Sequence, residues 1–350
     1  MSAKLPRVSV IIVNYNGMRF LKNCLSSVLN SDYPKDKLEV IVIDNASTDR
    51  SAEYISENFP EIKLVRLNKN LGFSGGANVG ALNAGGDILA FLNVDVVVDK
   101  DWLWEPIRIM TKSRHIAIVG CNILDINAKK ETSVTKIPFL HILGGMIDIQ
   151  ADIHRLKKSY IFTGTIYGAA FLVKKEIFNR IGGFDWSYFM YSDEVDLCLR
   201  AWLLGYNVVY CPHSIVYHYG SGIAGKSTDF SKNILHSRVS SPLRAYFGNR
   251  NSLANLLKNF ETKRLLQAFI LSILFSFFLI IAPIRKYEKR LLILSWISFF
   301  RKFKYYLAKR KMVQRERLRS DSWLIHNRLM LDYRKLIRLG IRALFVRHIE

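Results

Sequence analysis

Cysteine is scarce in this sequence: 350 residues hold four, Cys24, Cys121, Cys198 and Cys211, and none forms a CxxC pair. That spacing argues against a zinc site and for reduced thiols in a cytosolic compartment. A GxxxxGK[ST] loop is missing, as is a GxGxxG turn followed by an acid at ribose distance. P-loop NTPase and nicotinamide-binding folds are therefore disfavoured. No secretory signal is expected at the start, because the apolar run Val8–Val13 is too short and ends in the turn sequence Asn-Tyr-Asn-Gly. Acids are the largest deficit, with 29 Asp and Glu against 51 Lys and Arg, a net charge of +22. Half of the residues are apolar and 12% aromatic, which excludes a disordered or collagen-like chain.

The charge is unevenly placed. Residues 283–350 hold 19 Lys and Arg against 5 Asp and Glu, a net of +14, which leaves +8 for the first 282. Such a basic segment suits nucleic acid or an anionic membrane surface.

Short apolar segments alternate with helical spacing through the first half. Val8–Val13, Leu38–Ile43, Ile62–Leu67 and Ile88–Leu92 read as strands. Helices are expected over Phe20–Leu29, Ser51–Asn58 and the small-residue stretch Gly72–Ala84. This predicts an α/β fold with a mostly parallel sheet covered on both faces, its ligands at the carboxyl ends of the strands. The polar clusters after Val13, Ile43 and Leu92 share that edge. Asp125–Tyr160 reads as loop with short elements, Ile166–Val173 and Asn207–Cys211 as strands, Glu194–Leu204 as a helix, and Tyr219–Lys232 as a loop. Leu265–Ala282 is an 18-residue uncharged stretch, long enough with Pro283-Ile284 to span a bilayer. A single crossing would carry the basic tail away from a cytosolic catalytic part, against the positive-inside tendency. A re-entrant or surface-lying segment is expected instead, with a buried core helix as the plain alternative.

Three groups of residues carry chemistry. Asn93 and Asp95 end a strand with oxygens one residue apart, a donor type that suits Mg²⁺ or Mn²⁺, although Asn-x-Asp also serves as a turn or cap. Asn70 to Asn78 supplies glycines where a backbone can approach a ligand. Asp193, Glu194 and Asp196 crowd three acids just before a helix. An N-cap role for Asp193 and the helix dipole account for Asp193 and Asp196 but leave Glu194 unexplained. Close carboxylates repel, which raises one pKa toward that of a general base. His218, downstream, is a lone histidine of the kind that is usually structural or exposed, but its position after the acidic motif also suits completing a metal site with Asp95.

In chain order these motifs are Val8 to Asn16, Val42 to Asp49, Asn70-Leu71-Gly72, Leu92-Asn93-Val94-Asp95, the block from Gly182-Gly183-Phe184-Asp185 to Asp193-Glu194-Val195-Asp196-Leu197-Cys198-Leu199-Arg200, and Tyr217-His218. Together they resemble glycosyltransferase family 2, inverting enzymes of the GT-A fold, and most of all its rhamnosyltransferase-type branch, over residues 5–255. The resemblance implies a GT-A-like catalytic domain over 1–255, with a nucleotide-sugar part to about 120 and an acceptor part over 121–255. A basic, apolar helical region for membrane association would then fill 256–350. It implies that Asn14, Tyr15, Asp44, Asn70, Gly72, Asn93 and Asp95 bind the nucleotide-sugar. A divalent Mg²⁺ or Mn²⁺ would be held by Asp95 and His218, and Glu194 would serve as base with Asp193 as fallback. Asn93 stands where the family has the first acid of its DxD motif, and Asp193-Glu194 inverts the usual Glu-Asp order. Arg250 matches a basic position that contacts diphosphate or simply lies on the surface. The expected partners are a nucleotide-sugar, a glycan or lipid-linked acceptor and the cytoplasmic face of the cell membrane, without nucleic acid. A catalytically degenerate member of the family and a basic nucleic-acid-binding protein are the competing readings.

Overall fold

The computed structural model describes residues 5–126, 134–152, 158–220, 242–281 and 286–334. The opening half follows the expected alternation: β1 (Val8–Asn14), α1 (Met18–Leu29), β2 (Leu38–Asp44), α2 (Ser51–Asn58), β3 (Lys63–Arg66), α3 (Gly72–Asn83), β4 (Ile88–Asn93) and β5 (Val96–Val98). Alternate residues of the strands feed two cores. Ile11, Ile41, Ile43, Leu89 and Phe91 face one side, while Val8, Val10, Ile12, Val40, Val42, Ala90 and Leu92 face the other. A sheet buried on both faces needs continuous apolar strands, which is the pattern the sequence shows.

Further along lie α4 (Trp104–Lys112), β6 (Ile116–Asp125), β7 (Val134–His141), β8 (Met146–Asp152), β9 (Ile161–Phe162), β10 (Ala170–Lys174), α5 (Lys175–Arg180), α6 (Asp193–Leu203) and β11 (Asn207–His218). The main sheet runs β3-β2-β1-β4-β10-β6-β11-β5, with β9 beside β11. It is parallel from β3 to β4. β10 then enters antiparallel between β4 and β6, so the sheet is mixed. β7 and β8, expected as loop, form an antiparallel hairpin extended by β12 (Met330–Leu331), which pairs with β7 in parallel. β7 carries Lys136 and Pro138 and completes its pairing only with a strand some 190 residues away, so no local period announced it. Most of the Tyr219–Lys232 loop lies outside the described residues.

The carboxyl ends of β1, β2 and β4 are level. Asn14 pairs with Asp44 and Val13 with Asn93, so the three polar clusters do share one edge. α3 covers that sheet closely because its side chains are small. A Cβ on Gly76 would come 2.8 Å from Val13, and one on Gly80 would come 2.3 Å from Ile11 Cγ2. The glycines, poor helix formers, are retained for this close packing.

Beyond β11 come α7 (Asn249–Asn259), α8 (Thr262–Ile281), α9 (Lys286–Arg301), α10 (Phe303–Glu316) and α11 (Asp321–His326). The expected division at residue 255 falls inside α7, a helix buried along nearly its whole length. Part of the basic tail is internal as well. Arg310 donates to the carbonyls of Leu257 and Phe260, Arg317 to that of Asn259, and Arg319 to those of Gly205 and Tyr206. All four cysteines are free and buried, and burial pushes each thiol pKa up to about 12.

The α3–β1 contact is open to test. Gly80→Ala improves helix propensity, yet overpacking against Ile11 outweighs the gain; a loss of about 1–3 kcal/mol is expected. Thermal unfolding checks it, and an unchanged or higher Tm would show that the helix can move away.

Candidate functional site

Asn14 leaves β1 fully buried and holds the edge together. Its Nδ2 donates to Asp44 Oδ1 at 3.1 Å, Ser47 Oγ at 3.1 Å and Ser51 Oγ at 2.8 Å, while its buried Oδ1 has no hydrogen-bond partner. Asp44 also accepts from the Ser47 amide. Tyr15 follows, half-buried. Asn45 reaches across from the end of β2. Its Nδ2 donates to Asn70 Oδ1 and the Gly72 carbonyl, and its Oδ1 accepts from Leu71 N–H. The structure therefore brings Asn14, Asp44, Asn70 and Gly72 into one connected wall. Gly72 has φ +71°, and a Cβ there would stand 2.2 Å from the Phe189 carbonyl oxygen. In this structure its openness admits a loop of the chain.

Asp95, just past β4, is 6% exposed. β5 pairs antiparallel with the end of β11, Val96 opposite His218, and this brings His218 Nε2 to 3.2 Å from Asp95 Oδ1. That approach lacks hydrogen-bond alignment, and the buried Nε2 has no hydrogen-bond partner. A carboxylate oxygen and an imidazole nitrogen that converge without forming a hydrogen bond suit a shared hard-to-borderline cation. Among the described residues no three His, Cys, Asp or Glu gather to hold a metal. Asp95 and His218 would thus supply two ligands and leave the rest to a bound phosphate and water. Asn93 presents its main chain here, donating N–H to the Ala169 carbonyl at 2.9 Å.

The acid pair stands next door. A Cβ on Gly168, beside Ala169, would lie 3.6 Å from the Glu194 carboxyl carbon, so the 168–169 segment borders both the Asn93–Asp95 turn and Glu194. Asp193 and Glu194 are both buried, and Ser74 Oγ donates to Asp193 Oδ2 at 3.0 Å. Burial raises the Glu194 pKa well above the ordinary carboxylate value, and the charge of Asp193 adds to it. Burial also raises Asp193, against the bonds that favour its ionised form. The N-cap position of α6 belongs to Ser192, with Asp193 the first helical residue and no side-chain cap bond. The capping explanation for Asp193 is therefore corrected: neither acid caps the helix.

The approach to α6 is strained. Phe189, Tyr191 and Ser192 all have positive φ, at +68°, +66° and +58°, a region costing a non-glycine residue about 1–3 kcal/mol. α7 holds it there. Arg250 Nη2 donates to the carbonyls of Ser187 and Tyr188 at 2.8 and 2.7 Å. Asn251 Nδ2 donates to those of Tyr188, Met190 and Tyr191 at 3.1, 2.9 and 2.7 Å. Asn255 bonds the Ser192 carbonyl and accepts from Tyr188 O–H. Lys258 Nζ sits between Asp185 Oδ2, 2.6 Å away, and Asp196 Oδ1, 2.9 Å away. Asn259 also donates to Asp196. Burial works against the ionised forms of Asp185 and Asp196, but Lys258 beside both and Arg200 beside Asp196 outweigh it and hold their pKa values down. Arg250, expected at the diphosphate or on the surface, is 4% exposed and bound to loop carbonyls. Sequence reasoning did not find Ser74, Gly168, Asn251, Asn255, Lys258 or Asn259. The polar residues of α7 recur at three- and four-residue spacing, which reads as a solvated helix face when its neighbour is unknown.

The model of glycosyl transferase family 2 matches residues 9–182. The chain belongs to glycosyltransferase family 2. It is 29% identical over 221 residues to a probable glycosyltransferase, YdaM, of Bacillus subtilis, covering 61% of this chain and 51% of that one. It is 27% identical over 241 residues to the N-acetylglucosaminyl-diphospho-decaprenol L-rhamnosyltransferase of Mycobacterium tuberculosis, covering 62% and 77%. The chain spans about half the length, or less, of the first curated relatives it matches. Among solved structures, the Pyrobaculum calidifontis mannosyltransferase PcManGT in complex with GDP-Man and Mn²⁺ has the same fold, with TM-score 0.53, 17% identity and coverage of 90% of this chain and 86% of that one. The GT-A-like α/β fold is thereby established for this family 2 chain.

The loop clamp predicts a separable defect. Asn251→Ala leaves the carbonyls of Met190 and Tyr191 without this donor, so turnover should fall about 10- to 100-fold with a smaller change in donor affinity. Steady-state kinetics beside a thermal melt would check it. Unchanged turnover would show that the strained loop keeps its shape without the amide.

Proposed function

We propose that the chain transfers a sugar from a nucleotide-sugar donor to a glycan or lipid-linked acceptor with inversion, at the cytoplasmic face of the cell membrane. The carrying observation is that the 168–169 segment borders both the turn that leads from Asn93 to Asp95 and the buried Glu194, at the carboxyl edge of β1, β2 and β4. The wall of Asn14, Asp44, Asn70 and Gly72 lies on that edge, where nucleotides bind in open α/β sheets, and Tyr15 stands beside it. The unpaired Asn14 Oδ1 offers a buried acceptor to a donor group of the nucleotide. Asn93 and Asp95 follow as the diphosphate end.

Asp95 and His218 would hold Mg²⁺ or Mn²⁺, the metal supplying charge neutralisation to the leaving nucleotide diphosphate. PcManGT, similar in fold, was solved with GDP-Man and Mn²⁺, and this supports the same cofactor class here. Glu194 is the base. Its raised pKa makes it a stronger proton acceptor once ionised, and it removes the acceptor hydroxyl proton as that oxygen attacks the anomeric carbon. One in-line displacement inverts the configuration. Asp193, tied to Ser74, keeps the Glu194 pKa high. The likeness to a rhamnosyltransferase acting on a diphospho-decaprenol-linked sugar supports a lipid-linked acceptor. In this reading residues 1–255 form the catalytic part, nucleotide-sugar side first, and 256–350 hold it at the membrane.

The test is turnover of a panel of labelled nucleotide-sugars by membranes from expressing cells, with Mn²⁺ or Mg²⁺. Asp95→Ala should abolish metal-dependent turnover, and chelation should do the same to wild type. Glu194→Gln should lower turnover about 10²- to 10⁴-fold. Activity surviving both substitutions sinks the assigned roles.

The pH dependence follows from the sign of the shift. A carboxyl whose pKa is raised by folding favours its protonated form, so activity rises with pH through an acid limb lying above the ordinary carboxylate range. The same shift means that ionised Glu194 costs stability once pH passes its unfolded value. Glu194→Gln should therefore leave the neutral-pH Tm unchanged or raise it while activity is lost. A lower Tm would mark Glu194 as structural.

A further inference from the structure

The apolar helix α8 does not stand alone. Its base is fixed to the catalytic body: Ala268 is buried in the main core, and Thr262 accepts from Arg310. α9 returns the chain to the same body. Phe299 is fully buried in a cluster with Tyr188, Leu253, Ala254 and Leu257 and stacks on Tyr306 at 5.7 Å. Lys302 donates to the Ser187 carbonyl, and Trp296 Nε1 ties α9 to Ser276 of α8 at 3.1 Å. Residues 262 and 301 therefore lie on one side of any membrane the hairpin meets, and a single crossing is excluded.

The outer surface of this hairpin is apolar. Leu266, Ile270, Ile273, Leu274, Phe277 and Ile281 of α8 are exposed, as are Ile293, Leu294, Ile297 and Phe300 of α9. α8 is 20 residues long with a mean hydropathy of 2.2, and only 18% of it is buried. Cations mark the ends of the stripe, with Lys263 at the base of α8, Arg290 near the start of α9, and Arg301 and Lys304 at its end, all exposed. Residues 286–316 carry ten Lys and Arg against two Glu.

We infer that α8 and α9 lie in the plane of an anionic bilayer, their exposed faces sunk to the acyl boundary and their cations among the headgroup phosphates. This rests on the membrane reading proposed above and replaces its open choice of topology with one. A hairpin standing upright in one leaflet would bury Lys289 and Arg290 in hydrocarbon, where charges are costly. Reaching the far headgroups would require both arms to span. α8 does, at about 30 Å, but the uncharged stretch Leu291–Phe300 is ten residues, about 15 Å or half a bilayer core. Lying flat satisfies both arms, with apolar residues on one face and charges at the rim. A protein partner would have no need of exposed cations at the base of α8 and at both ends of the α9 stripe.

The experiment uses the full-length chain and sealed vesicles of phosphatidylcholine, with and without phosphatidylglycerol. Flotation should show binding about tenfold or more tighter with phosphatidylglycerol and weakened by salt. Ile273→Asp with Leu274→Asp should abolish it, while Leu318→Asp, exposed elsewhere, should not. Arg290→Cys, in a chain whose native thiols are buried, should react with an impermeant maleimide added outside. Labelling only after permeabilisation overturns the flat topology, and failure of the wild type to float overturns membrane contact in favour of a protein partner. Donor-sugar hydrolysis measured on the same samples separates the two readings. A wild type that hydrolyses donor but does not float sinks this inference alone, and a wild type that floats without any turnover sinks the transferase reading alone.

Discussion

The buried ammonium of Lys258 is the constraint on which the site depends. It bonds Asp185, at the head of the strained loop, and Asp196, within α6, so one cation joins both ends of the segment that carries Asp193 and Glu194. Arg200 completes a neutral quartet by bonding Asp196 and the carbonyls of Ile181 and Gly183. Removing one member would strand a charge in the interior, a loss of about 3–5 kcal/mol. That is large against the stability of a typical domain. Between these fixed ends the loop passes through three left-handed residues, and the amides of Asn251 and Asn255 take up carbonyls that this geometry turns away from the helix and the sheet.

The arrangement gives the acids of one helix two different environments. The Lys258 quartet is satisfied, and its acids are held ionised. At Asp193 and Glu194 burial outweighs the hydrogen bonds to Asp193 and the charge of Arg244 acting on Glu194, and both pKa values rise. One three-residue step along a single helix separates acids with opposite environments, a division that only packing can make.

The C-terminal helices take part in this arrangement. Tyr305 donates to Asp185 Oδ1 and Lys302 to the Ser187 carbonyl, so the C-terminal helices reach the loop that leads into Asp193 and Glu194. The +22 charge accordingly splits into two populations: cations capping carbonyls of the catalytic body, such as Arg310, Arg317 and Arg319, and cations left exposed along α8 to α10.

Much of the fold was legible because it rests on local period: continuous apolar strands, helical spacing in α1, and polar clusters ending β1, β2 and β4. The acid pair was legible because three carboxylates in four positions exceed what a helix start needs. By itself the sequence determined the parallel part of the sheet and its ligand edge, and it singled out Asp95, His218 and Glu194 as the groups proposed to carry the chemistry. Only the tertiary structure decided that β10 runs antiparallel, that β7 and β8 pair, and that Gly72 makes room for Phe189. It also decided that the polar stripe of α7 faces inward onto a strained loop. Those outcomes depend on contacts between residues tens to hundreds of positions apart, and a polar side chain carries no local mark of whether its partner is water or a buried carbonyl.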